Sequence, residues 1–316
     1  PRCRISRGVI MSRTPPLVWG LLVAGVLGVS SAGAILSSLD DIPPLMRASW
    51  RLQITVLMLL PFAILQYKQM DNQKRAKMRE KRTLLILFGS GVALAAHFGT
   101  WVTSLDHTSL AHSLLFVTSH PIIIVIGTAI LVRKPHRLET TGAIIGLFGA
   151  AITLLDANNS GEVTLWGDFL AFAGAVTVVG YIVAGRILRE WMPVFVYAVP
   201  VTLLGGILLI PMSILMGEET AALGWIESDL LSDFIKLAFL AGIVGHTGLN
   251  ACLRWLGPLT ISFAVTLEPI IGAFIGWFFY DESVPGKWTW LGGLILIIGI
   301  MFVIKGGAEH GMDTAD

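Results

Sequence analysis

Charge is scarce in this chain. Only 14% of its 316 residues are Asp, Glu, Lys or Arg, while 54% are hydrophobic and mean hydropathy is +0.76. A soluble domain carries about 25% charged residues, so a soluble fold is excluded and a bilayer is the expected surrounding. Cysteine is almost missing: Cys3 and Cys252 provide neither a disulfide framework nor metal-ligand spacing. No metal or other cofactor is expected. HExxH, paired-histidine desaturase spacing and GxSxG are all absent. Four histidines fall between His97 and His120, and Asp106 adjoins His107. An intramembrane enzyme is therefore kept as a weak alternative, beside a non-transporting receptor or scaffold.

What is present is a series of long apolar runs. A helix needs about 20 apolar residues to cross a hydrocarbon core of about 30 Å. Ten runs qualify, near 17–38, 45–66, 83–105, 108–132, 140–156, 165–187, 193–216, 233–253, 259–280 and 288–305, the fifth being short. The chain opens on Pro1, and Met11 is a plausible natural start. The basic stretch before the first run suggests a signal peptide. That run is too long for a signal core, and no small-residue cleavage site clearly follows it.

The connectors alternate in charge. Arg2, Arg4, Arg7 and Arg13 precede the first span, and seven Lys and Arg lie in the loop at 68–82. Arg133, Lys134 and Arg137 follow the fourth span, Arg186 and Arg189 the sixth, Arg254 the eighth, and Lys305 ends the tenth. The other connectors carry Asp40 and Asp41; Asp156 and Glu162; Glu218, Glu219, Glu227 and Asp229; Asp281 and Glu282. Basic loops stay in the cytoplasm, which puts both termini there. The tails 1–16 and 306–316 are then cytoplasmic, and the loop at 68–82 is a topology determinant rather than a nucleic-acid or lipid patch. Trp19, Trp166, Trp191, Trp225, Trp255, Trp288 and Trp290 fall near span ends, as an interfacial belt does; Trp50, Trp101 and Trp277 fall deeper.

The two halves repeat at offsets of 147 to 150 residues: Trp19-Gly20 matches Trp166-Gly167, Pro61 matches Pro211, and His97-Phe98-Gly99 matches His246-Thr247-Gly248. Pro121 matches Pro269, which sets His120 against Glu268. An ionisable residue directly before a mid-span proline thus occurs once in each half. Ionised at a helix centre, such a group costs roughly 2.5–3.5 kcal/mol, and the proline removes a backbone donor. Five spans per half is an odd number, so the second copy is inverted. The expected fold is all-α and integral to the membrane: ten transmembrane helices as two inverted five-helix repeats, 17–156 and 164–305. Inverted repeats are the plan of secondary transporters, with a site near the midplane between the copies.

The stretch S-L-D-H-T-S-L-A-H-S-L-L-F-V-T-S-H-P, with L-E-T-T-G-A-I-I-G-L-F-G-A-A-I-T-L-L after it, resembles the end of an EamA domain. R-W-L-G-P-L-T-I-S-F-A-V-T-L-E-P, Y-D-E-S-V-P-G-K and L-G-G-L-I-L-I-I-G-I resemble the end of a second. The chain is therefore similar to the drug/metabolite transporter superfamily over residues 17–305. The resemblance implies a central cavity opened alternately to each side, and does not name the solute.

Polar residues inside the runs are the candidate cavity lining. Ser109, His112, Ser113, Phe116 and His120 recur at helical spacing in the fourth span, a stripe that would be costly against lipid. His97 and Trp101 lie one turn apart in the third span, His246 and Asn250 likewise in the eighth, and Tyr181 sits in the sixth. Glu268 is either a proton- or solute-binding group or a structural acid beside the break. Arg47 and Arg51 are one turn apart in the second span; Arg47 is expected to snorkel outward, whereas the deeper Arg51 needs a partner. Gly142-x3-Gly146 and Gly272-x3-Gly276 read as close helix packing. Phosphorylated sugars or nucleotide sugars would call for deep Lys or Arg, which the last four spans lack near mid-membrane. A cationic drug would call for several buried acids, and only Glu268 is evident. An amino-acid-like, zwitterionic or weakly charged metabolite is the favoured solute, with a phosphorylated-sugar antiporter or multidrug exporter as alternatives. Its expected partners are that small molecule and the lipid bilayer, with protons as a candidate coupling ion and no nucleic acid. A monomer or homodimer in the plasma (inner) membrane is favoured over an organelle membrane.

The topology has a direct test. In a variant lacking Cys3 and Cys252, a cysteine at Ala76 should react with an impermeant maleimide only from the cytoplasmic face, and one at Asp41 only from the opposite face. The reverse pattern would overturn the orientation.

Overall fold

The computed structural model describes residues 14–131, 136–153, 155, 163–218, 221–226, 228–282 and 284–313. Arg2, Cys3, Arg4, Arg7, Met11, Arg13, Arg133, Lys134, Asp156, Glu162, Glu219 and Glu227 lie outside these residues. Among the described residues the chain is helical and contains no strand. The first half runs α1 (Pro16–Ser37), α2 (Pro44–Gln69), the short α3 (Asn72–Met78), α4 (Lys81–Leu105), α5 (Leu110–Val117), α6 (His120–Leu131) and α7 (Arg137–Thr153). The second runs α8 (Leu165–Arg189), α9 (Val194–Leu215), α10 (Ser228–Leu237), a π-helical stretch Ala238–Thr247, α11 (Gly248–Cys252), α12 (Pro258–Val265), α13 (Glu268–Phe279) and α14 (Lys287–Asp313).

Proline marks the entrances. α1, α2 and α12 each carry one at their first positions, where the missing N–H has no intrahelical partner to lose. Pro61, Pro200 and Pro211 sit inside α2 and α9, which continue through them. At Pro121 and Pro269 the outcome differs. Each is the second residue of a new helix, so the fourth and ninth spans are broken into α5–α6 and α12–α13. The continuous polar stripe expected from Ser109 to His120 is thereby corrected. Ser109 caps α5, and His120 begins α6 beyond the break, so helical spacing does not carry across.

Among the described residues, eight helices are long and apolar enough to cross a membrane, counting α5–α6, the run from α10 to α11, and α12–α13 as one each. Two shorter ones remain. α7 has 17 residues, about 26 Å at 1.5 Å each, and the apolar part of α14 covers Lys287–Val303. Large apolar side chains such as Leu65, Phe88, Phe148, Ile214 and Phe278 are exposed on the outside of the bundle, a surface suited to lipid. The alternation of helix partners follows the repeat. α4 packs on α8 as α1 packs on the π-helical stretch, while α2 meets α9 and α7 meets α14. The basic loop folds into α3. There the Asp71 carboxylate caps the helix through Lys74 N–H at 2.7 Å, and this contact with the adjoining ammonium holds its carboxyl below the usual range.

Close approach explains the glycine spacings in one pair. A Cβ on Gly299 would lie 2.4 Å from the Gly146 backbone nitrogen, and one on Gly142 would lie 2.4 Å from the Gly299 carbonyl oxygen. α7 and α14 therefore touch backbone to backbone, which gives two short helices a large contact. Gly299→Ala should cost about 1–3 kcal/mol through overpacking, read as a lower melting temperature in detergent. Gly20→Ala, with nothing within 4 Å, should leave it unchanged or slightly raised.

Candidate functional site

The two helix breaks face one another across a central cavity of about 70 Å³. Its walls come from α1, α4, α8, both broken spans, and the π-helical stretch with α11. Seven of the ten residues singled out in the sequence line it: His97, Trp101, His120, Tyr181, His246, Asn250 and Glu268. Valine, leucine and isoleucine fill most of the remaining wall. An apolar lining with a few polar groups is the usual composition of small-molecule sites.

Several polar wall residues are oriented by a neighbour. His97 Nδ1 donates to the Gly174 carbonyl at 3.0 Å, and its ring stacks on Trp101 with centroids 5.8 Å apart. His246 lies between the rings of Phe98, Tyr181 and His97 at 5.3, 6.3 and 6.4 Å. Asn250 donates through Nδ2 to the Tyr181 hydroxyl and to the His246 carbonyl oxygen. Behind Tyr181, the Tyr197 hydroxyl pairs with Ser90 at 2.8 Å. His120 Nδ1 bonds Ser262 Oγ, which ties α6 to α12 across the two halves. The sequence reading passed over Ser262, a hydroxyl one turn into a mostly apolar half-helix.

Three expected residues sit elsewhere. His112 is fully buried but off the cavity. Its Nδ1 lies 3.1 Å from the Asp168 carboxylate and its Nε2 3.0 Å from Thr289 Oγ1, joining α5, α8 and α14. Thr108 donates to the same carboxylate at 2.8 Å. Asp168 is a second buried acid, which corrects the view that Glu268 alone is evident. Its signal was an acid one turn inside the sixth apolar run. Phe116 is half-buried, its ring 6.3 Å from that of His112. Arg51 lines a smaller recess beside the cavity.

The expectation that Arg47 snorkels outward also fails. It is fully buried, pairs with Asp106 at the end of α4, and donates to the Leu36 carbonyl at 2.6 Å. Nearby, Glu218 accepts from the free N–H groups of Leu45 and Met46 at 3.1 and 3.2 Å, capping α2. Of the deep tryptophans, Trp50 is buried and donates to the Ala221 carbonyl, Trp101 lines the cavity, and Trp277 is exposed on the outer surface. Among the described residues, no group of three or more His, Cys, Asp or Glu is placed to hold a metal ion.

The EamA-like transporter family model matches the chain twice, over residues 15–155 and 165–305. A solved structure titled "Crystal structure of protein" superposes with a TM-score of 0.65 at 17% identity, covering 92% of this chain and 98% of that one. At that identity the likeness concerns the fold alone. No curated protein matches the chain.

The buried Arg47 pair yields a stability prediction. Asp106→Ala strands a guanidinium away from water and should cost about 3 kcal/mol, measured as lost heat stability. Lys236→Ala removes an exposed pair with Asp233 and should leave the melting curve in place.

Proposed function

Because the chain belongs to the EamA-like transporter family, and with it to the multi-pass drug/metabolite transporters that move small solutes, we propose that it carries an amino-acid-like metabolite. The solute is zwitterionic or weakly charged and moves by alternating access through the central cavity. The observation that carries this reading is the composition of the cavity wall. It holds one acid, Glu268, three histidines, Trp101, Tyr181 and Asn250, and no Lys or Arg. A phosphorylated sugar or nucleotide sugar needs several cations around its phosphates. A multidrug exporter of cations needs more than one acid in the wall. An intramembrane enzyme would need a nucleophile or metal centre that the described wall does not offer.

The matched half-helices support the mechanism. His120 and Glu268 each open a half-helix beside a backbone interruption, and both face the cavity. Rocking the repeat 17–156 against 164–305 would open the site first to one side and then to the other. We place the basic loops and both termini in the cytoplasm of a cell whose plasma membrane holds the protein as monomer or homodimer. Protons are the proposed coupling ion. Among the described residues Glu268 is the wall's only carboxylate; His97, His120, His246 and Tyr181 share that wall, and Arg51 lies in the adjoining recess.

Purified protein should be stabilised by an amino acid or related metabolite. A ligand at 100 times its Kd adds roughly 2.7 kcal/mol. The same solute should move across proteoliposome membranes, and flux by Glu268→Gln should lose its dependence on pH. A normal rate with an unchanged pH profile would remove Glu268 from the mechanism. Stabilisation only by sugar phosphates would overturn the solute class.

A further inference from the structure

Three arginines are buried in the described bundle, and two of them are accounted for. Arg47 meets Asp106 and the Leu36 carbonyl, and Arg189 donates to the Asn250 and Met192 carbonyls. Arg51 is different. It is fully buried two turns into α2, and none of its three guanidinium nitrogens has a hydrogen-bond partner among the described residues. An isolated buried cation is among the most expensive things a fold can hold. Its persistence asks what completes it.

The surroundings answer in chemical terms. Arg51 lines a narrow recess of about 10 Å³ that shares Tyr181, His246 and Asn250 with the central cavity. The Phe98 ring lies 4.5 Å from Arg51 Cζ and covers one face of the guanidinium. Stacking there leaves the N–H edges to meet a planar acceptor, the geometry in which arginine grips a carboxylate with two parallel bonds. The same walls hold unfilled acceptors. Asn250 Oδ1 is buried without a partner, its amide being fixed by the bonds that Nδ2 makes. Glu268 is the acid whose charge acts on Arg51.

We propose that Arg51 is the anion-recognition subsite of the carrier, taking the carboxylate of the solute. The solute's amino group faces Asn250 Oδ1 and Glu268, and its side chain lies in the cavity among Trp101, His97 and the aliphatic wall. This rests on the transport reading and sharpens it. A single guanidinium balances a monocarboxylate, while a phosphate dianion would bring a second negative charge beside Glu268 with nothing to offset it. The subsite also explains why the second span carries a charge that its own packing does not satisfy.

The test uses full-length protein in detergent and in proteoliposomes. Heat stability is read with the twenty amino acids, with the matching amine and matching carboxylic acid of leucine, methionine and phenylalanine, and with glucose 6-phosphate and inorganic phosphate. The expected result is stabilisation by at least one amino acid and not by its amine. Arg51→Met should melt higher than wild type without solute and should lose affinity for that amino acid about 100-fold. Arg51→Lys should keep a weaker response. Equal stabilisation by the amine, a full response in Arg51→Met, no response to any carboxylate, or a response to phosphates alone would each overturn the assignment. The wild-type comparison of amino acid with amine decides the matter even if Arg51→Met does not fold. Flux separates the two readings. Movement of a solute without a carboxylate would sink the Arg51 subsite and leave transport standing, whereas no flux of any solute that binds would sink transport itself.

Discussion

Everything at the centre of this molecule depends on two interruptions of the backbone hydrogen-bond ladder. In hydrocarbon an unpaired N–H or C=O costs several kcal/mol, so a helix that breaks at membrane depth must turn its break away from lipid. Pro121 and Pro269 impose that condition on the fourth and ninth spans. The breaks consequently face inward, and the half-helices bring His120 and Glu268 to the cavity wall with them. The remaining helices are arranged around that requirement. α1 and α8 cross near the breaks, while α2 with α9 and α7 with α14 close the bundle as symmetric pairs.

The polar groups of the bundle divide by what they touch. Toward the ends rich in acidic loops, Arg47 pairs with Asp106 while keeping its Nε free, His112 meets Asp168 and Thr289, and Glu218 takes the first-turn N–H groups of α2. They join helices that have no hydrophobic reason to associate within lipid. Around the cavity the pattern changes. Arg51, Trp101 Nε1 and Asn250 Oδ1 lack partners. These open groups lie at or beside the cavity on which the proposed transport reading rests.

The fold was legible in the sequence because it is written in length and periodicity. Ten apolar runs, alternating loop charge and a repeated His-Pro and Glu-Pro are properties of single residues and their spacing. The wall was legible in the same way, since a polar side chain in an apolar run must face inward, and seven of the expected residues do line the cavity. What failed was the step from one residue to its partner. Whether Arg47 reaches water or Asp106 depends on α4 ending beside α2. Whether His112 lines a cavity or bonds Asp168 depends on how α5 rotates ahead of the break. Ser262 was passed over because a hydroxyl in a span is cheap. It became informative only once His120 was seen beside it.

One departure from the repeat concerns how such a carrier rests. The third span is a regular α-helix through His97, but its counterpart runs through ten residues of π-helix, Ala238–Thr247, on the way to His246. A perfectly duplicated carrier would have two end states of equal free energy, each obtained from the other by exchanging the conformations of the halves. A wider helical turn in one copy alone lifts that degeneracy. Every 1.4 kcal/mol of difference is tenfold in population, so in the proposed alternating-access cycle a local irregularity in one helix would bias the empty protein toward one face.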